Sequence, residues 1–473
     1  VIIVDGGSSG SRVHVFSLLP RGVARGALPV VRAEEGVLKV KPGLSSFEGD
    51  PAGAGASLAP LFAFAQQCVP PDDLARTPIV LLATAGLRTV ERGATAAILA
   101  SCRAALRTTP FRFEDAWARV LDGADEGLYG WIAANYAAGR LAGADPAATL
   151  GVLELGGASM QVTFAPTLIP PKQFRNELRV AGSRFTVYTH SALGLGQEAA
   201  HAAHDTALRA SAAAHAAAGE DARARVPDPC TPRGYGEGPV LATLDANESV
   251  GSKSLSGAVG GGGSRERGSP GGGSRAGPGA EAAGSVGAGA AGVGPVMHGM
   301  DMDVVTEPAG NFTACRAAVG TLLGIGGDCP HQRCGVAGSY LPQLRGTFLA
   351  TENFFYTAQF LRLPERATLA DVARAGGKVC GADWVELAAA RRLPAEELLK
   401  FCFSAAFIVA ALHDAMGIGM DEELVFSNSV GGTAVDWALG ATIAFAAQSA
   451  EEDGGNVGGS GWGAEPVAPG EPN

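Results

Sequence analysis

Two short stretches of the chain place a carboxylate, glycines and serines in the same order. Val1-Ile-Ile-Val-Asp5-Gly-Gly-Ser8-Ser9-Gly10 runs from an apolar segment through Asp5 into a Gly/Ser turn. Gly151-Val-Leu-Glu154-Leu-Gly156-Gly157-Ala158-Ser159 repeats the arrangement. A glycine-rich turn lets several backbone N–H groups converge on one point, which suits an anion and phosphate above all. Serine hydroxyls add donors. A carboxylate repels bare phosphate, but it becomes useful when a divalent cation, held directly or through water, lies beside the phosphates. Two such turns facing one another would clamp a polyphosphate from both sides. One copy alone would read as an ordinary hairpin; two copies sharing an acid and a serine favour phosphate.

Other patterns carry less. Gly6-Gly7-Ser8-Ser9-Gly10 matches the G-x-S-x-G nucleophile elbow, but an elbow needs a helix after the serine, and Arg12-Val-His-Val-Phe16 alternates as a strand. Gly194-Leu-Gly196-Gln-Glu-Ala199 resembles a dinucleotide loop without the strand that should precede it. The chain has no G-x-x-x-x-G-K-[ST], which excludes a P-loop enzyme. His201, His204 and His215 fall in an Ala-rich helix and read as surface histidines. Cys329-Pro-His-Gln-Arg-Cys334 has no second CxxC or HxxxH at zinc spacing, which argues against a metal knuckle.

The elements that must hold the turns follow from apolar patterning. Val1–Asp5 and Arg12–Leu18 read as paired strands, as do Leu150–Glu154 and Met160–Ala165. Pro78–Ala83 reads as a strand followed by a helix through Leu106, and Asp125–Leu141 as a helix. Further helices are expected near Gln197–Ala217, Phe354–Leu361, Ala395–Met416 and Val435–Ala447. Strands alternating with helices imply an α/β class, and the distant repeat implies two similar halves facing one another. Gly251–Val296 is nearly all Gly, Ala, Ser, Pro and Arg and is expected to be a disordered insert; the tail from Glu451 is expected to be similar.

With 473 residues, 47% of them hydrophobic, the chain can bury a large core, and its length suggests two or three domains. A net charge of −11 argues against nucleic acid as the main partner. Eight cysteines fit a disulfide framework in an oxidising compartment, and sequons at Asn247 and Asn311 point the same way. No signal peptide is visible, and Val1–Val4 already reads as a core strand, so the natural N-terminus is expected to lie outside this chain. The longest apolar run, Phe403–Leu412, is half a membrane span, so any membrane anchor is expected to be absent from it too.

Five stretches then become recognisable as a set. They are Asp5-Gly-Gly-Ser8-Ser9-Gly10-Ser-Arg12-Val-His, Ala83-Thr84-Ala85-Gly86-Leu-Arg88, Asp125-Glu126-Gly127-Leu-Tyr129-Gly-Trp131-Ile-Ala-Ala-Asn135-Tyr136, Leu155-Gly156-Gly157-Ala158-Ser159-Met-Gln161 and Asp436-Trp437-Ala-Leu439-Gly440. In that order the chain resembles the apyrases, or nucleoside triphosphate diphosphohydrolases, within the actin, hexokinase and heat-shock-chaperone ATPase superfamily. Tyr188-Thr-His190-Ser191-Ala-Leu-Gly194 and Asp228-Pro-Cys230 resemble further landmarks of the family. The likeness spans almost everything except the insert and the tail. Two positions depart from it: Gly6 stands where the first motif usually has Ala, and Glu154 where the fourth usually has Asp.

The resemblance implies two RNase-H-like lobes with an active site in the cleft between them. Lobe I would be 1–122 plus 429–450, and lobe II 123–428. It implies hydrolysis of the terminal phosphate of nucleoside tri- and diphosphates, with Glu126 as general base for the attacking water and Ser159 and Gln161 holding that water and the phosphate. A solvated helical glutamate is the ordinary alternative for Glu126. Ser8, Ser9, Gly10, Thr84, Gly156, Gly157, Ala158, Ser159, Met160 and Gln161 would bind the phosphates. Arg12 would pair either with phosphate or with a neighbouring carboxylate.

Asp5 and Glu154 would hold Ca²⁺ or Mg²⁺ through water, with Trp437 near that water shell or else packed in the core. Phe355 and Tyr356 resemble the base-stacking segment, against core packing of an amphipathic helix. Disulfides Cys230–Cys315, Cys329–Cys334 and Cys380–Cys402 are implied, which leaves Cys68 and Cys102 either paired by elimination or as free thiols. The setting implied is extracytoplasmic, with a membrane anchor in the native protein. Two rivals share the residues. An exopolyphosphatase of the same fold would carry a Gly-Gly-Gly-Ser-x-Glu turn in place of Gly157-Ala158-Ser159-Met160-Gln161. A non-catalytic nucleotide-binding module is opposed by Glu126 and Ser159.

Overall fold

Ile2 and Val4 pack into one apolar core and Ile3 into another, and none of the three is exposed. Alternate residues therefore serve opposite faces of a strand covered on both sides. This strand, β1 (Ile2–Gly6), is the middle of a five-stranded sheet in a computed structural model of the protein. Its companions are β2 (Ser11–Leu18), β3 (Val31–Val40), β4 (Ile79–Ala83) and β5 (Ala118–Val120), in the order β3-β2-β1-β4-β5. β2 and β3 run antiparallel to their neighbours, β4 and β5 parallel. Two helices, α1 (Ala59–Cys68) and α2 (Arg92–Leu106), cover the outer face, and the Glu91 carboxylate caps α2 by accepting from Gly93 N and Ala94 N. The structure describes residues 1–19, 28–142, 145–180, 183–217, 226–236, 306–391 and 393–452.

Asp122 caps the next helix, α3 (Gly123–Ala137), by accepting from Ala124 N. A second sheet follows, with β6 (Gly151–Leu155), β7 (Ser159–Phe164), β8 (Asn176–Val180) and β9 (Ser183–Leu193). The short strands β10 (Val226–Asp228) and β11 (Thr306–Pro308) pair with each other, and β12 (Phe348–Glu352), β13 (Arg366–Thr368) and β14 (Glu423–Phe426) complete the larger sheet. Its order is β13-β14-β12-β6-β7-β9-β8. Without its two edge strands it repeats the first sheet: β6 is antiparallel to β7 and parallel to β12, as β1 is to β2 and β4. Asp5 lies opposite Arg12 and Leu82, and Glu154 opposite Gln161 and Thr351. The repeat first seen in two turns is thus a repeat of whole sheets, and the molecule has two α/β lobes of the actin-like ATPase kind.

Further helices include α4 (Gln197–Ala217), α5 (Phe312–Leu322), α6 (Asn353–Phe360), α7 (Leu369–Cys380), α8 (Lys400–Val409) and α9 (Trp437–Glu452). α3 and α9 lie between the sheets, in a core that takes Ile3, Val80 and Leu82 from one and Val152, Val187 and Leu349 from the other. The two helices cross at a glycine: a methyl group on Gly440 would sit 1.8 Å from the Tyr129 carbonyl oxygen. Val1–Tyr235 and Val305–Asn473 form one compact unit; the second unit, Gly236–Val304, lies outside the described residues apart from Gly236. The expected insert at 251–296, the sequon at Asn247 and the tail beyond Glu452 fall outside them too.

Several expectations are corrected. α8 belongs to a helical run, Ala395–Ala415, that is long and apolar enough to cross a membrane, contrary to the sequence reading; 67% of its apolar window is buried inside the protein. His204 is buried rather than at the surface, because the inner face of α4 packs against Phe403 and gives the imidazole Asp228 as a partner at 3.3 Å. The side chain of His215 lies outside the described residues. Disulfides Cys230–Cys315, Cys329–Cys334 and Cys380–Cys402 are formed, while Cys68 and Cys102 are free thiols. Cys68 ends α1, which lies over β3 and β2; Cys102 is on α2, which reaches β5 at the other end of the sheet. Strands so placed are about 19 Å apart, far beyond disulfide reach.

Candidate active site

The carboxyl ends of β1 and β6 open into one cleft. From the first sheet it is lined by Asp5, Ser8, Ser9, Gly10, Arg12, Lys39 and Thr84, and from the second by Glu154, Gly156, Gly157, Ala158, Ser159 and Glu352. α3 contributes Glu126 and Gly130, and the start of α9 contributes Asp436 and Trp437. The two turns meet: a methyl group on Gly157 would lie 2.9 Å from Ser8 Oγ. Gly130 leaves room for the longer acid of the second turn, since a methyl there would stand 3.2 Å from Glu154 Oε2.

Of the expected site residues, Met160, Gln161, Phe355 and Tyr356 do not line this cleft. Successive side chains of β7 point to opposite faces, so Ser159 and Gln161 share one side and Met160 goes into the apolar core of the second lobe. Gln161 sits behind Ser159, where its Nε2 lies 2.8 Å from Ser159 Oγ and 3.1 Å from Glu126 Oε2 and Ser191 Oγ. On α6, Phe354 takes the core position, while Phe355 is half-buried and Tyr356 exposed, their rings 5.3 Å apart. Trp437 is 7% exposed and both packs in the central core and faces the cleft. Arg12 pairs with a carboxylate, Asp436 Oδ2, at 3.4 Å.

Two adjacent acids at the start of α3 part company. Asp125 turns to Arg119 at 3.8 Å, and Glu126 turns inward, where Arg88 Nη2 donates to its Oε2 at 2.5 Å. Burial pushes the Glu126 carboxyl up to about 7, with Arg88 opposing that rise. A carboxylate poised near neutrality and hydrogen-bonded by Arg88 and Gln161 has the properties of a general base.

Asp5 is pushed up to about 7 by burial and by Asp436. Glu154 is raised well above the usual range by burial, then by Glu126 and Glu352. Asp5 Oδ1 is buried with no hydrogen-bond partner. Such a group of oxygen donors, crowded and short of counter-charges, suits a hard divalent cation. Asp5 and Glu154, one from each turn, are the carboxylates that would hold one or its waters.

Sequence reasoning assigned no role to Arg88, Glu352, Lys39 or Asp436. Arg88 and Asp436 stand inside the quoted motifs, so their position was visible and only their contacts were not. Lys39 reaches the site because β3 lies behind the first turn, where its Nζ is 3.4 Å from Ser9 Oγ. Glu352 ends β12 with φ 55° and ψ −122°, a backbone state costing a non-glycine residue about 1–3 kcal/mol; no pattern of residue types announces it.

Known proteins resemble the whole of this arrangement. A profile of the GDA1/CD39 (nucleoside phosphatase) family matches residues 1–454. "Probable apyrase 6" of Arabidopsis thaliana is 38% identical over 449 residues, 93% of this chain and 71% of that protein. "Ectonucleoside triphosphate diphosphohydrolase 8" of Gallus gallus is 29% identical over 459 residues, 93% of this chain and 81% of that one. Among solved structures, a nucleoside triphosphate hydrolase from Neospora caninum superposes with a TM-score of 0.61 at 17% identity, covering 94% of this chain and 91% of its own; at that identity the likeness speaks for the fold. Because that profile runs almost end to end, over the segments that form both sheets, the two turns and the inward glutamate, the chain belongs to the GDA1/CD39 (nucleoside phosphatase) family.

Proposed function

We propose that this nucleoside phosphatase is an apyrase, hydrolysing the terminal phosphate of nucleoside tri- and diphosphates with Ca²⁺ or Mg²⁺. The family depends on a divalent cation; the choice of ion is our reading, from the oxygen donor set. The observation that carries the proposal is the meeting of the two Gly/Ser turns over Glu126. Backbone N–H groups of Ser8–Gly10 and Gly156–Ser159 cradle the phosphates, with the hydroxyls of Ser8, Ser9 and Thr84 as further donors. Arg12, now on Asp436, is close enough to the first turn to exchange that partner for phosphate.

Glu126 takes a proton from the attacking water, while Ser159 and Gln161 keep that water in line. Asp5 and Glu154 would hold the cation through its waters, with Trp437 lining the same cleft; when bound, the ion would supply charge neutralisation to the phosphates. Phe355 and Tyr356 offer ring faces to a base, which suits broad nucleotide use.

Lobe I comprises 1–122 plus 429–450 and lobe II 123–428, with the cleft between them. Three disulfides, and relatives named as ecto-enzymes, support an extracytoplasmic setting. In this reading nucleic acid is not a partner. The test is phosphate release from ATP, ADP, AMP and polyphosphate with Ca²⁺, Mg²⁺ or a chelator. Release from ATP and ADP that needs the cation supports the proposal; release from polyphosphate alone, or from none, ends it.

A further inference from the structure

The cleft holds five carboxylates, and only two of them have a cationic partner. Glu126 has Arg88 at 2.5 Å and Asp436 has Arg12 at 3.4 Å. The third cation, Lys39, leans on Ser9 Oγ at 3.4 Å. Among the described residues Asp5, Glu154 and Glu352 form no ion pair. Asp5 and Glu154 are the acids of the two repeated turns; Glu352 comes from outside both.

The backbone of Glu352 makes its presence harder to attribute to chance. A φ of 55° belongs to glycine, and Glu352 is the only cleft-lining residue other than glycine, among those described, with φ above zero. The conformation is held in place on both sides: Glu352 N donates to Asn428 Oδ1 at 2.7 Å, and Asn353 Nδ2 donates to Leu155 O at 2.8 Å. The second bond ties the segment to the end of β6, one residue past Glu154. Glu352 thereby lines the cleft together with Arg12, Lys39 and Asp436. A role in packing alone would be met better by glycine, which this backbone accepts without strain.

We infer that Glu352 is a further carboxylate of the cation site, acting with Asp5 and Glu154 on the ion or its bound water. The inference rests on the reading of the cleft as a cation-dependent nucleotide site and adds a residue that the repeated turns do not supply. Three carboxylates without counter-ions are complemented by one small multivalent cation, where a monovalent side chain would leave excess charge.

The test uses Mn²⁺ alone, without nucleotide, on the full chain, with free ion followed by electron paramagnetic resonance. Glu352→Gln should weaken Mn²⁺ binding by about 10- to 100-fold, the range for partners that orient metal ligands. Glu352→Gly should lose the same affinity and, with the strain relieved, melt a few degrees higher than the native chain in chelator. Asp5→Asn is the control for the site itself. If Asp5→Asn loses Mn²⁺ while Glu352→Gln binds it natively, the inference about Glu352 fails and the cleft reading stands. If both bind natively, the cation reading of the cleft fails. A lower melting point for Glu352→Gly overturns the argument from backbone strain.

Discussion

Glu126 is buried at 6% exposure, carries an arginine on one oxygen and has Gln161 beside it. Glu126→Gln keeps the shape and the hydrogen-bond reach but cannot accept a proton at neutral pH. Turnover should fall by about 10²- to 10⁴-fold while nucleotide affinity changes little; single-turnover rates and equilibrium binding, measured separately, check it. Arg88 makes a different prediction. It opposes the rise that burial imposes on the Glu126 carboxyl, so Arg88→Met leaves that carboxyl higher still. In the proposed mechanism Glu126 works deprotonated, so the acid limb of the turnover profile should move to higher pH, by about one unit or more; a merely structural arginine would lower turnover at every pH alike.

At this scale the sequence was legible where chemistry repeats. Asp5, Glu154 and Ser159 stand in duplicated turns, and they line the cleft. Met160 was misplaced because a motif runs through successive residues while a strand sends every second one away. Glu352 was illegible because its conformation is imposed by Asn428 and β6, far off in sequence.

The elements show the same division. β1, β2, β6 and β7 were readable because their apolar residues are continuous or alternate cleanly. β3 was not: it carries Glu34, Glu35 and Gly36, and most of its residues are solvated, as befits an edge strand. β5 and β13 have three residues each, too few for a period. α3 starts two residues before its expected first turn because Asp122 caps it. The expected single helix is found as one run, Ala395–Ala415, with Leu399 at helical angles between its first turn and the rest, and it ends in a π-helical turn, Ala410–Ala415.

The crossing of α3 and α9 is where an element-scale change should be felt most. In Gly440→Ala the new methyl meets the Tyr129 carbonyl, a backbone atom that no rotamer change can move aside. Alanine ordinarily favours a helix by about 1 kcal/mol over glycine. Here the overlap should win, with a net loss of about 1–3 kcal/mol in urea unfolding. Activity should fall with it, because the crossing aligns Trp437 with Glu126.

For the molecule as a whole, the crowded carboxylates link stability to pH. Asp5 and Glu126 stand near 7 in the folded protein, above their ordinary values of 3.8 and 4.5. Between those ordinary values and 7, the folded state keeps protons that the unfolded chain has released. Their contribution therefore falls as pH rises through that window and levels off above it. In chelator, the melting midpoint of the native chain relative to Asp5→Asn should decline from pH 5 to pH 8. Saturating Ca²⁺ should reverse the decline at the upper end, by about 2.7 kcal/mol at a hundred times its dissociation constant. A difference that rises with pH in chelator would contradict the burial of these acids.

The late position of Asp436, Trp437 and Gly440 has a consequence in biosynthesis. The ribosome delivers both Gly/Ser turns, Glu126 and every strand of the two large sheets before the helix that crosses α3 emerges. Until it does, Arg12 has no Asp436 and the core between the sheets has no second helix. A chain cut before α9 keeps the two turns and Glu126 but lacks Asp436, Trp437 and the helix that packs across α3, so it should release no phosphate from ATP until that helix is present.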